Sequence, residues 1–208
     1  MSKETFFEND LVVFRYTAVS FLYLGWSVYE YIQASKGLKK IKDNIKGYKE
    51  ELKEINKKFN EHKQKLGILP DDCKESIKLI KEIFDLICED YQQLDNLIKK
   101  IEESKNITIK YKEKSILGLI GSGILGVVGV TGGLIARNGN SIWYGVSAVS
   151  NVVSAICHGS TFLESAEIIE ELGKVVEDAA EQKKKIKEEM DNLLNFLNSL
   201  KDNYPKYK

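Results

Sequence analysis

Proline is nearly missing from this chain, with 2 among 208 residues. That is too little punctuation for a loop-rich or all-β fold, so long helices are the expected element. Histidine is equally scarce: His62 and His158 are the 2 present, which severely limits acid–base and metal chemistry. Cys73, Cys88 and Cys157 make 3 cysteines, an odd number without metal-ligand spacing. They argue against a disulfide scaffold and read as structural thiols in a reducing compartment. Nor does one sign of charge dominate, because 31 Lys and Arg balance 31 Asp and Glu. No bulk field therefore draws the chain toward nucleic acid. The length of 208 residues fits one domain or two small ones.

Catalytic motifs are missing as well. Gly121-Ser122-Gly123-Ile124-Leu125-Gly126 matches the dinucleotide fingerprint G-x-G-x-x-G, but no βαβ pattern surrounds it and the next acidic residue is Glu164. No phosphate-loop lysine, H-E-x-x-H pair or nucleophile elbow occurs. Cys157 and His158 adjoin, yet a metal there would need ligands from other helices or copies. The chain reads as a non-enzymatic protein with no cofactor, no small-molecule substrate and no nucleic-acid partner.

What is present is a sharp segregation of charge. Ser115 to Ala136 (SILGLIGSGILGVVGVTGGLIA) and Ser141 to Leu163 (SIWYGVSAVSNVVSAICHGSTFL) are charge-free runs of about 22 residues each. Either is long enough to cross about 30 Å of hydrocarbon at about 1.5 Å per residue. Between them Arg137-Asn138-Gly139-Asn140 supplies a helix stop, and Ser141 can cap the next helix. A helical hairpin follows. Its glycines would each cost about 1 kcal/mol in a water-exposed helix but let backbones approach closely in lipid. Gly118, Ser122 and Gly126 fall four apart, as do Gly129 and Gly133; the return helix answers with Ser147, Asn151, Ala155 and Gly159. These are the expected membrane-inserting and helix-packing residues, with Trp143 and Tyr144 as interfacial aromatics at the tip. His158 reads as a packing group, or as a pore-facing one in an oligomer.

Near the N-terminus Leu11 to Gln33 is also apolar, but Arg15 and Glu30 leave only about 14 residues uncharged between them. It could span with both charges snorkelling, lie along the surface, or pack on the hairpin. A cleaved signal peptide is not expected, because Glu4, Glu8 and Asp10 precede the apolar segment.

The polar remainder is Lys/Glu-rich with apolar residues spaced alternately by three and four. One seam runs through Leu38, Ile41, Ile45, Tyr48, Leu52, Ile55, Phe59, His62 and Leu66. A second uses Ile77, Ile80, Phe84, Ile87, Tyr91, Leu94, Ile98 and Ile101. The third uses Ile169, Leu172, Val176, Ala179, Lys183, Ile186, Met190, Leu193, Leu197 and Leu200. Such periodicity is that of coiled-coil packing. Pro70 breaks the first helix from the second, with Asp71 or Asp72 as cap, and Ser104 to Thr108 is a candidate fray.

The fold class expected is all-α: a long antiparallel three-helix rod forming a single elongated domain over 1–208. Its apolar helical-hairpin head would use 11–33, 115–136 and 141–163, and its coiled-coil stalk 34–114 and 164–201. Helices are expected from about Asn9 to Leu66, Asp71 to Ala136 and Ser141 to Lys201. Lys36, Lys39, Lys40, Lys110, Lys112 and Lys114 flank the stalk side of the head, against Lys3, Arg15 and Arg137 on the far side. The positive-inside rule then puts the stalk on the cytosolic side of a membrane. Glu164, Glu167, Glu170 and Glu171 read as a solvated face pairing with Lys110, Lys112 and Lys114, or as an acidic ring at a pore mouth.

From Asn106 to Leu172, a charged helix enters a Gly/Ile/Val-rich hairpin, returns on small residues, and continues as an acidic amphipathic helix. This stretch resembles the membrane-inserting region of the apolipoprotein L family. The resemblance implies lipid binding, membrane insertion and ion permeation; the tip departs from it, since that family's linker tends to be longer and apolar with proline. In outline the chain is also similar to α-helical pore-forming toxins and to bacterial inclusion-membrane proteins. Three functions stay open: a membrane-inserting protein whose stalk self-associates or tethers, an oligomerising pore-former, and a soluble coiled-coil interaction module. The partners expected are a lipid bilayer and a second copy or another coiled coil.

Overall fold

A computed structural model describes residues 9–69, 73–136 and 140–203. They form three α-helices: α1, Asp10–Leu66 of 57 residues; α2, Cys73–Ile135 of 63; and α3, Asn140–Asn203 of 64. The described residues contain no strand. α1 begins as its sequence demands: Asn9 Oδ1 accepts the amide of Leu11 at 3.0 Å, satisfying one of the free donors of the first turn. α3 starts at Asn140, one residue before the expected cap, so Ser141 lies inside the helix. The stop at Pro70, the caps Asp71 and Asp72, and the tip residues Arg137, Asn138 and Gly139 lie outside the described residues.

Contacts divide the chain into two units that cut across all three helices. One takes the chain up to Lys42 with Asn106–Ile169; the other takes Asp43–Lys105 with the chain from Glu170 onward. In each unit α2 runs antiparallel to α1 and α3.

The second unit is a charged bundle with an apolar centre. Ile45, Ile55, Phe59, Ile80, Ile83, Ile87, Leu94, Leu97, Ile101, Leu172, Val175, Ala179 and Ile186 are buried there. Five positions of the expected seams on α2 and α3 are corrected by one residue in this unit. Ile83, Asp90 and Leu97 fill the interior where Phe84, Tyr91 and Ile98 were expected; on α3, Val175 and Gln182 replace Val176 and Lys183. The cause is that each helix faces two neighbours and needs a stripe wider than two positions per heptad, so adjacent apolar residues compete for the centre. Around it lie exposed pairs such as Lys49–Glu171 at 2.5 Å and Lys63–Glu189 at 3.2 Å. Each is worth about 0–1 kcal/mol, so the core and not the ion pairs holds this unit together.

Three buried polar residues, Asp90, Ser104 and Gln182, interrupt that core. Asp90, 2% exposed, accepts from His62 Nδ1 at 2.8 Å. Burial holds its carboxyl above the ordinary carboxylate range, against the pull of His62 and Lys58. Gln182 is buried with its Nε2 unpartnered. Nearby Asp95 lies between Lys183 and Lys99, at 2.5 and 2.8 Å, and is lowered to about 2 by those hydrogen bonds. The expected fray does not occur: α2 is helical through Ser104 to Thr108, where Tyr48 Oη meets Ser104 Oγ at 2.8 Å. Small polar residues at interior positions read from sequence as weakness, but here they make room for a tyrosine.

Candidate functional site

The first unit uses the same three-and-four spacing with opposite chemistry. On α3 the buried positions are Tyr144, Ser147, Ser150, Asn151, Ser154, His158, Thr161, Ser165 and Ile168. On α1 they are Val13, Tyr16, Ser20, Ser27, Ala34, Leu38 and Ile41, and on α2 Thr108, Ser115, Gly118, Ser122, Gly129 and Gly132. Within the apolar band the interior is therefore mostly polar or small, with Val13 an apolar exception; Leu38, Ile41 and Ile168 are buried beyond the band's lysine-flanked edge. Side chains facing outward are Phe14 (70% exposed), Leu22 (75%), Leu117 (68%), Val127 (66%), Leu134 (83%), Ile142 (68%), Val149 (64%) and Leu163 (64%). Water-soluble bundles do the reverse.

Along the helices the outward apolar residues extend from Leu11 to Ile32, Ile116 to Leu134 and Ile142 to Leu163. At about 1.5 Å per residue these bands measure roughly 27 to 32 Å, the thickness of a bilayer's hydrocarbon. All three helices are long and apolar enough to cross a membrane, and only 17%, 22% and 33% of their most apolar 18-residue stretches are buried. The sequence left the part played by Leu11 to Gln33 open; in the structure it packs beside the hairpin and carries a band of equal length.

Hydrogen bonds account for most of the interior polarity. Tyr16 Oη donates to the carbonyl of Leu125 at 2.5 Å, and Tyr23 Oη to that of Gly118 at 2.6 Å. Asn151 Nδ2 donates to the Ser147 carbonyl at 2.9 Å and to Ser20 Oγ at 3.3 Å, while His158 Nε2 meets Ser27 Oγ at 3.1 Å. Ser115, Ser122, Ser150, Ser154 and Thr161 each donate to the carbonyl four residues earlier on their own helix. Asn151 Oδ1 and Ser165 Oγ are buried and without partners. At the lysine-flanked edge of the band, Lys114 pairs with Glu30 at 3.3 Å, and the Lys112 ammonium stands 5.1 Å from the Phe162 ring.

The glycines of α2 have a specific use. A Cβ on Gly118 would overlap the His158 ring, and one on Gly121 would overlap the Tyr23 phenol. On Gly129 it would come within 2.6 Å of Tyr16 Oη, and on Gly132 within 2.5 Å of the Tyr144 ring. These are notches for aromatic rings arriving from α1 and α3, beyond the simple backbone approach expected.

Among the eleven residues singled out from sequence, Gly118, Ser122, Gly129, Tyr144, Ser147 and Asn151 lie in this interior. Gly126, Gly133, Ala155 and Gly159 are half-buried, and an added Cβ on Gly126 would meet nothing within 4 Å. An every-fourth-residue stripe drifts about 40° around the helix at each step, whereas alternate threes and fours stay on one face. Trp143 is 53% exposed. Tyr144 differs: it is fully buried, packed on Tyr16 with ring centroids 5.3 Å apart. Residues missed altogether are Tyr16, Ser20, Tyr23 and Ser27, although their 4-3-4 spacing is the signal that would have found them. Among the described residues, no three His, Cys, Asp or Glu side chains gather to hold a metal ion. Glu171 pairs with Lys49 of α1, and Glu170 with Lys174 of its own helix, instead of with the lysines of α2. No protein-family model, curated protein or solved structure matches the chain.

Proposed function

We propose that the first unit spans a lipid bilayer as a three-helix bundle and that the charged unit serves self-association or tethering on the cytosolic side. One observation carries this reading: the unit is inside out, with serine, asparagine and histidine within and a band of roughly 30 Å of Val, Ile, Leu and Phe outside. In water that exterior would be an adhesive surface many times larger than a monomer normally exposes. The lysines at 36, 39, 40, 110, 112 and 114 favour a cytosolic position for their end of the band. The resemblance of Asn106 to Leu172 to the apolipoprotein L family supports the same assignment.

Flotation with liposomes and alkaline carbonate washing test the insertion. The full chain is expected to float and to stay in the washed pellet; protein left in the supernatant in both assays refutes the reading. Topology is checked with Lys78→Cys in a Cys73→Ser, Cys88→Ser background. An impermeant maleimide applied from the cytosolic side modifies position 78, whose native side chain is 78% exposed, and reaches Cys157 only after detergent. A second reading, an oligomeric pore, draws on the polar seam, whose unpartnered Asn151 Oδ1 and Ser165 Oγ would suit a water-lined wall. Release of dye from vesicles would favour it over the bundle alone.

A further inference from the structure

Between α1 and α3, at the end of the band where both helices begin, lies a groove of about 490 Å³. Asp10 and Asn140 stand at its mouth, joined by Asn140 Nδ2 donating to Asp10 Oδ1 at 3.2 Å. Phe14, Thr17, Phe21 and Trp143 line the rest. From Asp10 to Phe21 the groove descends about 16 Å along α1, roughly half of the bilayer's hydrocarbon thickness. Its polarity falls over that distance as it does through one leaflet, from charged at the surface to wholly apolar near the middle.

Resting on the membrane reading above, we propose that this groove binds one phospholipid with an ammonium headgroup from the leaflet at the hairpin tip. The acyl chain lies against Phe14, Phe21 and the face of Trp143. The phosphate, common to all phospholipids, is favoured by the N-terminal end of α3 at Asn140 and so gives no discrimination. Asp10 supplies it: an exposed carboxylate at the mouth attracts an ammonium and repels a headgroup of net negative charge.

The test uses Trp26→Phe, which leaves Trp143 as the one remaining tryptophan of the 2 in the chain. The full-length protein is reconstituted in equimolar phosphatidylcholine and phosphatidylglycerol vesicles, with the acyl chains of one lipid or the other brominated. Brominated phosphatidylcholine is expected to quench Trp143 with about two- to five-fold higher apparent affinity than brominated phosphatidylglycerol, the range of a single solvent-exposed charge pair. Asp10→Asn is expected to abolish the preference while flotation stays unchanged. Equal quenching by both lipids, preference for phosphatidylglycerol, or weak quenching by both because a second copy fills the groove, overturns the proposal. Protein that does not float at all overturns the membrane reading itself, so the two failures are separable.

Discussion

Replacing Val152 by Lys puts the inside-out reading to its most direct test. Val152 is 58% exposed, about midway along the band of α3 from Ile142 to Leu163. Were its surroundings water, exchanging an exposed Val for Lys would change stability by no more than about 0.5 kcal/mol and would improve solubility. In hydrocarbon the lysine at mid-span costs about 2.5 to 3.5 kcal/mol, and the lost valine adds about 0.3 more. A total near 3 kcal/mol is roughly a 150-fold shift in the insertion equilibrium. Val127, 66% exposed on α2, is the equivalent position there, and the pair Val127→Lys/Val152→Lys should lose membrane association outright. Leu163→Lys is the matched control: at 64% exposure it sits at the edge of the band, where a lysine can extend its amine to the surface at little cost. The assay is flotation and carbonate extraction across the series. Insertion that falls at the centre and holds at the edge supports the bilayer. A double variant that floats like the parent, or a parent that becomes monodisperse in buffer, refutes the reasoning.

Four further outcomes follow from particular contacts. His62→Leu strands a carboxylate only 2% exposed, a loss of about 3 to 5 kcal/mol, whereas Asp90→Leu leaves His62, with 13% of its side chain exposed, able to reach water and should cost less; the double Leu variant should recover most of the stability, as amide exchange around both positions would report. Because burial raises the Asp90 pKa, its contribution is largest below the ordinary carboxylate range and is lost as pH rises through the folded value, so Asp90→Asn should flatten that part of the stability profile. Asp95 has the opposite sign: lowered to about 2, it stabilises above its unfolded value and loses that contribution as pH falls from about 4 toward 2, a dependence that Lys183→Met should weaken. Gly118→Val should force the His158 ring aside and reduce the folded fraction in micelles, while Gly123→Val, with open space around it, should be tolerated, as thermal melts of the two variants would show.

Helix ends were readable within two or three residues because proline, glycine and asparagine sit where the helices stop. The bands were readable from the missing charges. Interior register was not. Between Asp90 and Tyr91, or Gln182 and Lys183, nothing local marks which residue points inward; the choice is made by partners distant in sequence, such as His62 for Asp90. Glycine counts foretold close packing on α2, but not that four of those positions receive aromatic rings, since the rings come from helices about 100 residues earlier or from the far side of the turn. The apolar segment of α1 stayed ambiguous because Arg15 and Glu30 shorten its charge-free run, while an outward face from Leu11 to Ile32 depends on contacts that run length does not capture.

The partition of the helices also dictates an order of biogenesis. The charged bundle is assembled from Asp43–Lys105 and the chain from Glu170 onward, so its last helical segment leaves the ribosome only after the whole hairpin has been made. A chain folding in solution would have to keep that hairpin waiting in water; on the membrane reading proposed above, the bilayer would receive the hairpin first, and the C-terminal part of α3 would then complete the charged bundle with the topology already fixed. On that reading, completion of the bundle would be a late event, dependent on every earlier crossing having gone the right way.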